Sequence, residues 1–169
     1  QFFRKSKCDI LCTGVYDPYR KKVYGFSRKS KKTRRINVLN VFKFPISVGI
    51  FSKVKNIKFN ENIGAGTNFG SGEETLFLIE NIRKKIVFNP NIVVYHEIET
   101  YKINSKAFSY GKGFGATIKI AVKKGKIFIL IELIRIISLT IISIILKKNK
   151  KFYIERLKGI FHGFKNYKT

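Results

Sequence analysis

The chain is poor in acidic residues and in sulfur. Its 169 residues include ten Asp and Glu, two Cys, three Pro, and no Met or Trp. Two cysteines are too few for a disulfide framework, and a zinc site would lack its second pair of ligands. In a strand, Cys8 and Cys12 share one face but lie too far apart along it for an unstrained disulfide. We therefore predict two reduced, structural thiols in a cytosolic compartment.

The chain also lacks low-complexity tracts and internal repeats. Hydrophobic residues make up 44% and aromatic residues 14%, which excludes a disordered tail. The length suits one domain with a core but is short for a two-substrate enzyme. Because the sequence begins at Gln1 and contains no Met, we expect it to lie inside a longer open reading frame.

The scarcity of acidic residues leaves a formal net charge of +25. Such a charge favours nucleic acid, an anionic membrane surface or phosphorylated substrates as partners, although an AT-rich genome also enriches lysine. The basic residues cluster at 28–35, 123–126 and 147–151, and the last two clusters flank a long apolar run. The aromatic residues fall mostly inside apolar runs, and no nucleic-acid-binding motif is present. We therefore favour the membrane and predict no nucleic-acid partner, keeping a basic nucleic-acid-binding module as the alternative.

The residue pattern predicts an α/β protein, with turns at Asp17-Pro18 and Asn89-Pro90 and an exposed basic loop at 27–35. The predicted strands are 8–15, 22–26, a buried strand at 46–51, and two short strands on either side of Asn89-Pro90. A glycine-rich loop precedes a helix that Ser71 or Gly72 caps. Further helices are predicted at 103–122, 127–146 and 152–167. The glycines of the first of these indicate close backbone approach to a ligand or to another helix.

The apolar run at 127–146 is long enough, at about 30 Å of helix, to cross a bilayer. Glu132 and Arg135 interrupt it, and each charge near the bilayer centre costs about 3 kcal/mol. They stand i,i+3 and can neutralise each other. Since most polar residues of the run share one side, we expect a helix lying in the membrane interface rather than a plain span. The alternative is a buried helix of a soluble core.

The segment FNENIGAGTNFGSGEETLFL, followed by IVFNPNIVVYH, carries a distinctive set of motifs. An aromatic residue precedes N-E-x-x-G, a glycine-rich loop leads to an acidic pair that opens a helix, and an N-P and a histidine follow. This pattern resembles the acceptor-side part of family 2 glycosyltransferases, inverting enzymes of the GT-A fold. The matching positions are Phe59, Asn60, Glu61, Gly64, Gly72, Glu73, Glu74, Pro90 and His96. The later segments KAFSYGKGFGA and RLKGIFHGF also look like sequences that follow the catalytic domain in such proteins.

The resemblance implies an incomplete GT-A (Rossmann-like) layer at residues 1–100 and a membrane-associated helical tail at 101–169. It implies that Glu74, with Glu73 beside it, is the catalytic base, at a position where the family usually has aspartate. It further implies that His96 helps to bind the metal or the diphosphate. Acceptor-binding residues are expected in the loop: Asn68, Phe69, Gly70, Ser71 and Gly72. The alternative for the acidic pair is stabilisation of the helix dipole alone.

One part of the family pattern is absent. Such enzymes hold the nucleotide-sugar donor and Mg2+ or Mn2+ with an Asp-x-Asp motif, whereas Asp9 and Asp17 are isolated. We therefore expect the missing half to lie upstream and this chain alone to be inactive. The expected acceptor is a glycan or a lipid-linked glycan at the cytoplasmic face of the membrane. Besides nucleic-acid binding, a non-catalytic membrane-anchoring segment remains an alternative.

Overall fold

The computed structural model describes residues 7–24, 32–44, 47–56, 58–97, 106–146 and 150–168. These residues form five strands and four α-helices, which confirms the α/β class. The strands are β1 (Ile10–Asp17), β2 (Lys22–Tyr24), β3 (Arg34–Arg35), β4 (Ile50–Ser52) and β5 (Ile86–Tyr95). The helices are α1 (Glu73–Glu80), α2 (Ala107–Lys123), α3 (Ile129–Leu146) and α4 (Lys150–Asn166).

The chain divides into two compact units. Residues 1–59 and 77–98 form the sheet unit, and residues 60–76 and 99–169 form the helical unit. The glycine-rich loop therefore belongs with the helices. The functional division at residue 100, between a catalytic part and a membrane-associated tail, stays a prediction.

Strand β1 is the centre of the sheet. It forms a parallel pair with β5 along one side. Strand β4 forms an antiparallel pair with the first part of β1, and β2 forms an antiparallel pair with its last part. Strand β3 pairs in antiparallel with β5. The apolar run ILCTGV explains this position, because a strand that is buried throughout has no polar face to turn to solvent. Ile10, Val15, Ile86 and Phe88 are almost completely buried and form the core of the unit.

The predicted turn at Asn89-Pro90 is wrong, because β5 runs through it. Asn89 lies opposite Thr13 and the next aligned pair is Val93 with Gly14, so residues 90–92 form an irregularity in the register. The Asn91 amide donates to Asn89 Oδ1 at 3.0 Å there. Pro90 has no amide hydrogen to donate, and an irregularity of the ladder is where a strand tolerates proline.

Two other local predictions change in the structure. Residues 47–49 form a 3-10 turn (Ser47–Gly49), and the short edge strand β4 that follows leaves Phe51 40% exposed. Thus 46–51 is not a buried strand, and Ile46 itself lies outside the described residues. The basic loop at 27–35 ends in Arg34–Arg35, which form β3 with exposed side chains. Residues 27–31 of that loop, and the last two residues of the strand predicted at 22–26, lie outside the described part.

Glycines bring the backbones of α2 and α4 together. A Cβ atom on Gly111 or Gly115 would overlap with the backbone of α4, and one on Gly159 or Gly163 would overlap with the backbone of α2. Both pairs are spaced four residues apart, so each presents one glycine face to the other helix. Of the two partners predicted for the glycines of α2, another helix is therefore the one observed at these positions.

The apolar run forms α3, which begins two residues later than predicted. Within the described residues it is the one helix long and apolar enough to cross a membrane, a weak indication when taken alone. Only 11% of it is buried. The alternative of a buried core helix therefore does not describe α3 in this structure.

Candidate functional site

The glycine-rich loop, residues 60–72, is held by its own hydrogen bonds. The Gly64 amide donates to Phe69 O at 2.9 Å, and the Thr67 hydroxyl donates to Gly64 O at 2.9 Å. Gly64 has φ of 114°, a conformation that residues with a side chain rarely adopt. These hydrogen bonds give the loop a defined conformation.

The last part of this loop lies along α2. The Ser71 hydroxyl donates to Tyr110 O at 3.1 Å, and the Thr117 hydroxyl donates to Gly72 O at 3.2 Å. A Cβ atom on Gly113 would overlap with the Ser71 backbone, so glycine is what allows the loop to come this close. Helix α2 thereby fixes the segment that leads into the acidic pair.

Gly72 stands at the N-cap position of α1. Its carbonyl accepts the first helical hydrogen bond, from the Leu76 amide at 2.9 Å. Ser71, the other predicted cap, uses its hydroxyl on Tyr110 instead. Glu73 and Glu74 then form the first turn of α1, as the sequence predicts.

The two carboxylates are enclosed without full hydrogen bonding. The Oε2 atoms of Glu73 and Glu74 are both buried and have no hydrogen-bond partner among the residues that the structure describes. The Glu73 carboxylate lies against Gly64, where a Cβ atom would stand 2.7 Å from Glu73 Cδ. A buried carboxylate oxygen without a donor is unfavourable, so each of these atoms has an unmet capacity to accept a proton or a hydrogen bond.

The environment makes Glu74 a stronger base than an ordinary carboxylate. Burial raises its pKa to about 7, and the neighbouring negative charge of Glu73 adds to the increase. Hydrogen bonds from the backbone amides of Glu74 and Gly72 act in the opposite direction. A group with a pKa near the operating pH is well matched to general acid–base catalysis.

The other predicted loop residues form a small cluster with α2. The Lys112 ammonium donates to Asn68 Oδ1 at 2.7 Å and lies 5.7 Å from the centre of the Phe69 ring. Phe69 also contacts Tyr167, with ring centres 4.9 Å apart. Gly70 lies against the hydroxyl of Ser109. The structure therefore brings all five predicted acceptor-binding residues together with the acidic pair in one unit.

Lys112 is the residue that the sequence analysis missed. The signal that points to it is the segment KAFSYGKGFGA, which contains Lys112 and resembles sequences that follow the catalytic domain in family 2 glycosyltransferases. Lys112 is a cation beside an aromatic ring and an amide at the candidate site. Such a combination suits sugar hydroxyls and anionic oxygen atoms.

His96 belongs to the sheet unit, whereas Glu73 and Glu74 belong to the helical unit. It follows β5 directly, and its amide donates to Tyr16 O at 2.9 Å. Its side chain is exposed. Its predicted role in metal or diphosphate binding stays a prediction.

In the described part of the chain, no three His, Cys, Asp or Glu side chains come together as a ligand set. Binding of Mg2+ or Mn2+ stays a prediction.

Comparison with known proteins gives no relative for this arrangement. No protein family, no curated protein and no solved structure matches the chain.

Proposed function

We propose that this chain is the acceptor-side part of an inverting glycosyltransferase with a GT-A-type catalytic layer. The donor is a nucleotide sugar, and the acceptor is a glycan or a lipid-linked glycan. Glu74 is the catalytic base, and Glu73 helps to raise its pKa. Residues 68–72 and Lys112 contact the acceptor. The motif resemblance of the sequence supports this proposal together with the local chemistry of the acidic pair.

The reaction is one displacement at the anomeric carbon. Glu74 removes the proton from an acceptor hydroxyl, and the acceptor oxygen forms a bond to the anomeric carbon on one face of the sugar. The bond from that carbon to the diphosphate oxygen breaks on the opposite face, and its electron pair leaves with the nucleoside diphosphate. The products are a glycoside of inverted configuration and the nucleoside diphosphate.

The observation that carries the proposal is the raised pKa of Glu74 together with its incomplete hydrogen bonding. Its pKa is raised to about 7 by burial and by Glu73, and its buried Oε2 has no hydrogen-bond partner in the described part of the chain. A carboxylate that served only the helix dipole would stabilise the helix in its charged form. Burial beside a second carboxylate is unfavourable for that purpose but useful for a base.

The test is the transfer rate of the natural protein that contains this chain. We expect Glu74→Gln to lower kcat by about a hundredfold or more, the usual contribution of a general base. Glu74→Asp should recover part of the rate, because the family usually carries aspartate at this position. The wild-type kcat/KM should rise with pH through about 7 and then level off, since the base must be deprotonated in the free enzyme.

Glu155→Gln is the matched control, because Glu155 is a partly exposed carboxylate of α4 whose partner is Lys158 at 2.9 Å. It should leave kcat unchanged. If Glu74→Gln keeps the wild-type rate in a folded protein, the acidic pair serves only the helix start and the proposal fails. A folded natural protein that transfers no sugar in any variant would favour the non-catalytic anchoring alternative.

A further inference from the structure

Helix α3 presents an exposed surface that is mostly apolar and is interrupted by Arg135 and Ser138. Its exposed apolar side chains have between 44% and 77% of their surface accessible: Ile131, Ile134, Leu139, Ile141, Ile142, Ile145 and Leu146. At 100° per residue these positions fall on one half of the helix. Ile129 and Thr140 are buried and lie on the opposite half. We call the seven exposed residues the outer face of α3.

The outer face of α3 is mostly apolar, whereas a surface helix of a soluble protein turns its polar side to water. Here the buried side contains Thr140, whose hydroxyl donates to Ile136 O at 2.7 Å. Arg135 lies within the arc of the outer face, and Glu132, which is 16% exposed beside that face, neutralises it in an ion pair. Large apolar patches of this kind mark an interaction surface.

We propose that the outer face of α3 docks the chain onto an anionic bilayer, with the helix axis parallel to the membrane plane. Exposed lysines stand close to both ends of the helix, with Lys123 and Lys124 before it and Lys150 and Lys151 after it. Anionic head groups neutralise these charges at the depth where the apolar side chains enter the acyl region. A second copy of the chain would instead bring the same lysines together, in a protein of formal net charge +25.

The packing of α4 argues for a helix in the plane rather than across the membrane. Helix α4 packs against both α2 and α3. It exposes Lys151, Lys158 and Lys165 along its length. If α3 crossed the bilayer, the part of α4 that packs against it would be drawn toward the hydrocarbon, where each lysine lowers insertion by roughly a hundredfold. With α3 lying in the interface, α4 stays on the water side.

The absence of tryptophan allows a direct test, because a single introduced Trp reports one position without background. Ile134→Trp and Ile145→Trp place the probe near the middle and near the end of the outer face, about 16 Å apart along the helix axis. Tyr19→Trp, at a side chain 77% exposed in the sheet unit, is the control. The full chain is mixed with vesicles of phosphatidylcholine and phosphatidylglycerol whose lipids carry bromine near the head group or near the chain end.

We expect both α3 probes to be quenched equally, and more strongly by the shallow bromine than by the deep one. The Tyr19→Trp probe should be unaffected. Unequal depths for the two α3 probes would show a crossing helix and overturn the in-plane arrangement. If the fluorescence changes with protein concentration but does not respond to lipid, a second copy of the chain covers the outer face of α3 instead.

A second variant tests the energetics of docking. Replacing both Ile134 and Ile142 with Glu should weaken binding to the same vesicles by roughly a hundredfold or more, since each charge opposes entry into the apolar layer. Leu39→Glu makes the same type of change at a side chain 80% exposed in the sheet unit and should leave binding unchanged. Equal binding by all three proteins contradicts the proposal. The inference does not depend on sugar transfer, so Glu74→Gln should bind vesicles like the wild type.

Discussion

The backbone of Ser71 lies directly against Gly113 of α2. A Cβ atom on Gly113 would stand 2.6 Å from both the amide nitrogen and the hydroxyl oxygen of Ser71. The contact joins residues that are 42 positions apart in sequence (113 − 71). It therefore ties the loop before the acidic pair to a helix that follows much later in the chain.

We expect Gly113→Ala to lower the free energy of unfolding by about 1–3 kcal/mol, the usual range for overpacking at a closely packed position. The added methyl group meets backbone atoms of Ser71, which can move only if the loop moves. Thermal or urea unfolding of the full chain measures the change.

Gly70→Ala is the control for this substitution. Its new methyl group meets only the hydroxyl end of Ser109, which can rotate away, so the loss should be smaller. Equal losses for the two variants would show that the loss follows from replacing glycine in general rather than from the contact with Ser71.

The sequence predicted those parts of the site that depend on local signals. Acidic residues after glycines indicate a helix start, and Glu73 and Glu74 do open α1. The contacts of Ser71 with Tyr110 and of Asn68 with Lys112 join distant segments, and no periodicity in one sequence reports such pairs. For this reason the site residues on the loop were found and their partners on α2 were missed.

The sheet shows a second limit of prediction from sequence, because strand pairing there overrides a local turn signal. Asn-Pro is a strong turn signal, yet β5 continues through Pro90. Pairing with β1 on both sides of the irregularity outweighs the local preference, because each hydrogen-bonded segment is held by the neighbouring strand. The sequence alone could not show that β1 would lie beside both halves.

The raised pKa of Glu74 predicts that the folded chain is more stable at pH 5 than at pH 8. The pKa is higher in the folded state than the ordinary 4.5, so the protonated form is favoured there. The stability is fully present below the unfolded pKa and is lost as the pH rises through about 7. A shift of this size corresponds to on the order of 3 kcal/mol.

Urea unfolding at the two pH values, for the wild type and for Glu74→Gln, measures this effect. Glutamine cannot ionise, so the variant should lose most of the difference between the two pH values. A difference that persists in Glu74→Gln must come from other groups.

Burial makes Cys12 chemically inert in the folded chain. Burial raises the pKa of its thiol to about 12, and the nearby Cys8 adds to the increase. Because the thiolate is the reactive form, we expect negligible labelling of Cys12 at pH 8 until the protein unfolds. Mass spectrometry of peptides after iodoacetamide treatment, with and without denaturant, resolves the two cysteines. Rapid labelling of native Cys12 would show that β1 opens locally.

Lys112 should control affinity for the acceptor, a prediction that rests on the proposed function. Its ammonium contacts Asn68 and faces Phe69, so Lys112→Ala removes a charge-assisted hydrogen bond donor worth about 1.5–3 kcal/mol. We expect kcat/KM for the acceptor to fall by about tenfold or more, mainly through KM, while the KM of the donor stays constant. Lys119→Ala is the matched control, since Lys119 lies on the same helix and donates to Lys165 O at 2.9 Å. If both variants lower kcat/KM equally, the effect follows from the lost positive charge of α2, and Lys112 has no specific role.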